Sequence, residues 1–112
     1  MGDHQDRREM LQYMPWPFPH GEFPQQLGAV VMTTVLDGSR PALHVAHFPD
    51  GAWAIGDGDD PNGPGACVAT HIWHAIDHNS SIRELASMPP GHIAERESPR
   101  RPWIISEWVP DD

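Results

Sequence analysis

Thirteen prolines and ten glycines interrupt this 112-residue chain so often that much of it must be turn and loop. Against that background one stretch, Ala66 to Arg96 (ACVATHIWHAIDHNSSIRELASMPPGHIAER), is the only long segment with clear helical periodicity. Val68, Ile72, Ala75 and Ile76 recur at helical spacing, which predicts an apolar stripe facing a core. Cys67, His71, His74 and His78 fall on a neighbouring stripe of the same predicted helix, at spacings of four, three and four. Asn79 suits a left-handed helix cap. Ser81-Ile-Arg-Glu84 reads as a capping box opening a second short helix, with Ile82, Leu85 and Ala86 turned inward. Met88-Pro-Pro-Gly91 stops it, because proline lacks the amide donor and disfavours helical geometry in the residue before it.

The flanking segments read as strands. Leu27 to Leu36 is rich in β-branched residues and apolar on both faces, as a central strand would be. Asp37 to Pro41 is a turn, and Ala42 to Phe48 returns as a second strand. Pro49-Asp50-Gly51 supplies a further turn, because proline presets one dihedral and glycine tolerates the other. Ala52 to Ile55 makes the third strand, and short turns between the three imply an antiparallel meander. Two more strands are expected around Gly91–Glu97 and Trp103–Trp108, separated by Ser98 to Pro102. The sum is β-β-β-α-α-β-β: an α+β domain whose antiparallel sheet of about five strands has two helices packed on one face. Residues 27–109 form this domain, preceded by a polar and proline-rich arm over 1–26 and followed by a short tail, 110–112. In the arm, proline at nearly every second place from Pro15 to Pro24 favours extended backbone. Trp16, Phe18 and Phe23 are too apolar for a free linker, so the arm is expected to lie against the domain. No PxxP with a basic flank marks it as a docking motif.

Composition narrows the function classes. One cysteine cannot form an internal disulfide, no apolar run approaches membrane-spanning length, and the charged N-terminus is unlike a signal peptide, so a cytoplasmic protein is expected. The formal charge is −9, and all seven basic residues are arginine. Between Arg40 and Arg83 there is no lysine or arginine, while Asp50, Asp57, Asp59, Asp60 and Asp77 fall in that interval. Such a field opposes nucleic acid and anionic membrane, and suits a basic protein partner.

Three chemical readings compete at specific residues. The pairs Cys67/His71 and His74/His78 could each chelate a zinc-type ion, since residues four apart converge on one helix face. All four cannot share one ion, because they span about 16 Å of helix axis, and no HExxH is present. Cys67 near a helix N-terminus, with His71 one turn on, is a candidate nucleophile, but no orienting Asn or Asp accompanies them. The loop Gly56 to Gly65 (GDGDDPNGPG) fails as a calcium loop: Pro61, Asn62 and Val68 stand where a ligand, the turn glycine and the bidentate glutamate belong. Its glycines form no GxGxxG, and its aspartates would repel phosphate. No cofactor is expected.

Asp50-Gly-Ala-Trp53, Gly56-Asp57 in an acidic loop, Val68 and Ile72, Asp77, Ser81-Ile82 with Leu85, Pro90-Gly91, and Glu95-Arg96 with Trp103 form an ordered string over residues 28–104. The string resembles a bacterial family of small domains of unknown function that is also counted among the immunity proteins of polymorphic toxin systems (immunity class thirty-three). Where that family carries a Tyr-Arg-Glu segment in its second strand, this chain reads Ala42-Leu-His-Val-Ala-His47. The resemblance implies binding rather than catalysis, the neutralising of a cognate toxin by covering its active site; the acidic middle of the chain is compatible with a basic toxin domain as that partner. On that expectation the interface falls on Asp57, Asp59 and Asp60, with His71, His74 and His78 behind them. Two alternatives stand beside it: a metal-binding protein or small enzyme using the Cys67/His71/His74/His78 face, and a structural or accessory subunit using the proline-rich arm. Eight histidines also make a pH response conceivable.

Overall fold

Alternation of side chains along β-branched segments lets one face of a sheet be apolar and buried, and the fold is built on that alternation. The computed structural model describes residues 10–11, 13–59 and 65–108. After a short 3-10 turn in the arm (Pro19–Gly21), its elements are β1 (Gly28–Met32), α1 (Thr33–Leu36), β2 (His44–His47), β3 (Trp53–Gly56), β4 (Cys67–His71), α2 (Ile72–Ile76), a longer 3-10 helix (Ser80–Ser87), β5 (His92–Glu95) and β6 (Ile104–Glu107). The strands form one sheet in the order β4-β1-β3-β2-β5-β6. The protein is therefore α+β as expected, but the sheet has six strands and is mixed, because β1 and β3 run parallel.

The simple meander fails for a specific reason. The predicted strand over Leu27–Leu36 ends at Met32, and Thr33–Leu36 coils into α1, which buries Val35. That turn carries the chain across the sheet and sets β2 down one strand away from β1. The vacant slot is filled by β3, which returns from β2 through the Pro49–Gly51 turn and pairs with both neighbours. Gly51 sits at φ +98, a left-handed conformation that strains other residues, and its amide donates to Phe48 O at 2.8 Å.

A second correction concerns the predicted helix from Cys67 to His78. Cys67–His71 is a strand, paired antiparallel with all five residues of β1, and only Ile72–Ile76 is helical. Val68 and Thr70 are β-branched and suit the strand; Ile72, Ala75 and Ile76 supply the helical spacing on their own. Five ladder pairs to β1 outweigh the helical reading of Cys67–His71. Asn79 takes φ −141, outside the left-handed region, and its buried side-chain oxygen accepts the amide of Ala42 at 3.0 Å. Ser81 is not a cap: the 3-10 helix begins at Ser80, and the Ser81 hydroxyl accepts from Arg96.

The β1–β4 ladder has a near-symmetric form. Each strand passes directly into a short helix, the Thr33 amide donating to Ala66 O and the Ile72 amide to Leu27 O, both at 2.9 Å. Both helices and the 3-10 helix lie over the same face. Val35, Ile72, Ala75, Ile76, Ile82 and Leu85 pack there against Ala29, Val31, Val45, Trp53, Ile55 and Ala94. The proline-rich arm completes this core, as its aromatic residues led one to expect. Phe18 and Phe23 are buried, Phe23 meets Trp53 edge-on at 4.9 Å, and Trp73 Nε1 donates to Phe23 O at 2.9 Å. Trp16 Nε1 donates to Ala86 O. At one margin of the sheet β6 is exposed along its whole length, with Ile104 67% exposed. Among the described residues no helix is long and apolar enough to cross a membrane.

If the arm is part of the core, Phe23→Ala should cost about 3–5 kcal/mol. Urea unfolding checks this: the midpoint should fall with the slope unchanged, whereas an arm merely draped on the surface would leave it in place.

Candidate functional site

The helices and the aromatic part of the arm lie on one face of the sheet; among the described residues, Met10 lies against Gly28 on the other face, and the part around Ala54 and Gly56 holds an open cavity. Register assigns the residues of that other face row by row. One row runs Ala69, Val30, Ala54, Ala46, Ile93 and Ser106 across β4, β1, β3, β2, β5 and β6. The next runs Cys67, Met32, Gly56, His44, Glu95 and Ile104. Alanine and glycine in the middle make the face low there, and bulkier residues make it higher outward. The result is an open cavity of about 350 Å³ lined by Val30, Met32, His44, Gly56, Cys67 and Glu95. Asp59 reaches the same cavity from the loop after β3.

Gly56 is needed for that shape. A Cβ there would lie 3.0 Å from Met32 Sδ, so the methionine would have to give by a few tenths of an ångström, and a larger side chain would enter the hollow. The Met32 sulfur also accepts the Asp57 amide at 3.4 Å, which holds it across the cavity floor. His44 and Glu95 are directly opposite in the β2–β5 ladder, with Cβ atoms about 4.5–5.5 Å apart. Glu95 is exposed and, among the described residues, makes no ion pair. None of the strand residues directed to this face is lysine or arginine. The site is apolar in the middle and anionic at one side.

The residues expected at an interface are distributed differently. Asp57 is only 2% exposed. Its carboxylate accepts the Thr34 hydroxyl at 2.7 Å and the Asp59 amide at 2.9 Å, with Arg40 at 3.6 Å. Burial pushes its pKa up, but these donors and the arginine outweigh it and hold the group below the usual carboxylate range. Asp57 thus braces α1 against the loop rather than offering surface. Asp59 is exposed and paired with Arg40, whose guanidinium its carboxylate stabilises in the charged form. Asp60 lies outside the described residues. His71 is buried at the end of β4 with its ring 5.8 Å from that of His74, and His78 packs beside Gly38.

The shared helix face of Cys67, His71, His74 and His78 is not formed. Cys67 and His71 lie in a strand, four positions apart, which places them about 13 Å from each other. Cys67 is the first residue of β4, opposite Met32 at the end of the ladder; it is not in the first turn of a helix, and His71 lies four strand positions on rather than one helical turn away, so the arrangement proposed for a nucleophile is also missing. Among the described residues no group of three or more His, Cys, Asp and Glu is placed to hold a metal ion.

Several residues that carry the family resemblance turn out to build the core. Trp53 stacks on His47 with centroids 3.9 Å apart. Arg96 donates from Nε to Ala42 O at 2.9 Å and from Nη1 to Ser81 Oγ at 2.6 Å, and its guanidinium lies 4.2 Å over the Trp103 ring. It ties the end of β5 to the 3-10 helix and to the loop before β6. What sequence reasoning missed is the open face itself, though its signal is present: Ala54 and Gly56 at alternate positions of β3, with Val30 and Met32 at alternate positions of β1. Compared with known proteins, the chain matches no family model, no curated protein and no solved structure.

His47 is the titratable group most deeply committed to the fold. It is almost wholly buried, and its Nδ1 lies 2.9 Å from Met88 O; a carbonyl only accepts, so Nδ1 carries the proton. Burial lowers its pKa below the ordinary 6.5, the Met88 bond and Asp50 opposing this only in part. From the unfolded value of about 6.5 down to the folded pKa, the unfolded chain binds a proton that the folded one refuses. Stability from this group is therefore complete above that value and lost as pH falls through the window. His47→Phe should remove that contribution to the slope, while costing about 1–3 kcal/mol at neutral pH by stranding the Met88 carbonyl. Urea midpoints of both proteins from pH 5 to 8 check the sign.

Proposed function

We propose that this chain is a small acidic binding protein of immunity type, acting in the cytoplasm, that neutralises a cognate toxin by covering a basic surface of it. The observation that carries the reading is the open sheet face. Among the described residues, that face holds an open cavity with an apolar floor, with Glu95 and Asp59 but no lysine or arginine lining it, in a chain of net charge −9. Apolar surface of this kind marks an interaction site, and its charge selects a cationic partner.

The alternatives have less support. The helix face required by a metal-dependent protein is replaced by a strand and a separate short helix. An accessory subunit recruiting partners through its arm would need the arm's aromatic residues outside, yet Phe18 and Phe23 are inside the core.

The test is affinity capture from the protein's own host followed by a neutralisation assay. The expected result is one stoichiometric basic protein that is toxic when expressed alone and harmless when this chain is co-expressed. A stoichiometric partner whose toxicity is unrelieved, or no stoichiometric partner at all, overturns the proposal.

A further inference from the structure

Resting on the reading of a basic protein partner, we infer that the open-face cavity is a socket for one cationic side chain, arginine or lysine, presented by that partner. The aliphatic stem lies on Val30, Met32 and Ala54, and the head group meets Glu95 at the rim. This matches the way long cationic side chains behave, with the stem on apolar surface and the charge at an anionic or wet edge. Glu95 is the principal acceptor because it has no ion pair among the described residues, while Asp59 is already partly neutralised by Arg40. The cavity of about 350 Å³ is apolar on its floor and open to solvent, so a side chain can enter without any movement of the backbone.

Charge decides against a second copy as occupant. Two chains of −9 repel each other, and the strand residues of this face supply no lysine or arginine to meet Glu95 of a second copy. Size argues the same way. The sheet face covers about 24 Å by about 13 Å, or about 300 Å², well short of the roughly 800 Å² per partner of a stable interface. It serves as the anchor of a larger contact, and Glu95 at its rim calls for a cationic group there.

The probe is a capped hexa-arginine peptide titrated at low ionic strength into the full ¹⁵N-labelled chain. Amides of Val30, Met32, Ala54, Gly56 and Glu95 should shift together. Glu95→Gln should weaken binding about tenfold, and Ala54→Leu, which fills the hollow without changing charge, should do the same. Asp77→Asn, an exposed acid on the helix side, should change affinity less than twofold. Shifts scattered over the acidic surface, with Asp77→Asn and Glu95→Gln equally damaging, would overturn the socket. So would a captured toxin that binds the wild type and Glu95→Gln alike, although the immunity reading would then stand. If the peptide seats in the cavity while the host yields no partner, the socket survives and the immunity reading falls.

Discussion

The pairing of β1 with β4 is the constraint on which the other features depend. These strands are distant in sequence, yet they are matched over five residues and locked at both ends by amides that begin the following helices. Because each strand turns into its helix at the same relative point, both helices emerge toward one face. That is why the core is one-sided. The 3-10 helix and the proline-rich arm then add to the side already begun, and the aromatic cluster of Phe18, Phe23, Trp53 and His47 closes it. The open face is the complement of this choice.

Much of the architecture was legible in the sequence, and the failures share a cause. β2, β3, β5 and β6, the Pro49–Gly51 turn and the inward Ile82, Leu85 and Ala86 all follow from alternation, turn chemistry and local spacing. The two largest errors lie on the two partners of the central ladder. Leu27–Leu36 has the pattern of a continuous strand and is half helix; Cys67–His78 has the pattern of a continuous helix and is half strand. In both, no glycine or proline marks the strand-to-helix junction, and the threonines beside it (Thr33 and Thr34, Thr70) suit a strand as well as a turn. Pairing across more than thirty residues decides where each junction falls, and local periodicity does not contain that information.

The candidate site was less legible for a related reason. Acidic and histidine residues draw attention because they carry chemistry, but here several of them are structural. Asp57 satisfies Thr34 and a loop amide, His47 stacks on a tryptophan, and Arg96 joins three segments through one guanidinium. The open face is written instead in alanine, glycine, valine and methionine. Only the strand order assembles them: Val30 and Ala54 become neighbours because β3 inserts beside β1, an event that a meander would not produce. A correct list of strands with the wrong order hides the cavity.

The uncovered strand at the sheet margin has a consequence for handling and evolution of such a chain. β6 presents backbone donors and acceptors, with Ile104 and Ile105 flanking them, and it contains no lysine, proline or bulge to discourage a second chain from adding on. Glu107 is the single charge within it. Colloidal stability then depends on long-range repulsion from the −9 net charge rather than on local protection of the edge. Acid or high salt removes that repulsion while leaving the fold's hydrogen-bonding edge intact, so edge-to-edge growth begins at β6. Substitutions that reduce the negative charge anywhere on the surface weaken the same barrier, so the acidic composition contributes to solubility as a whole rather than at one position.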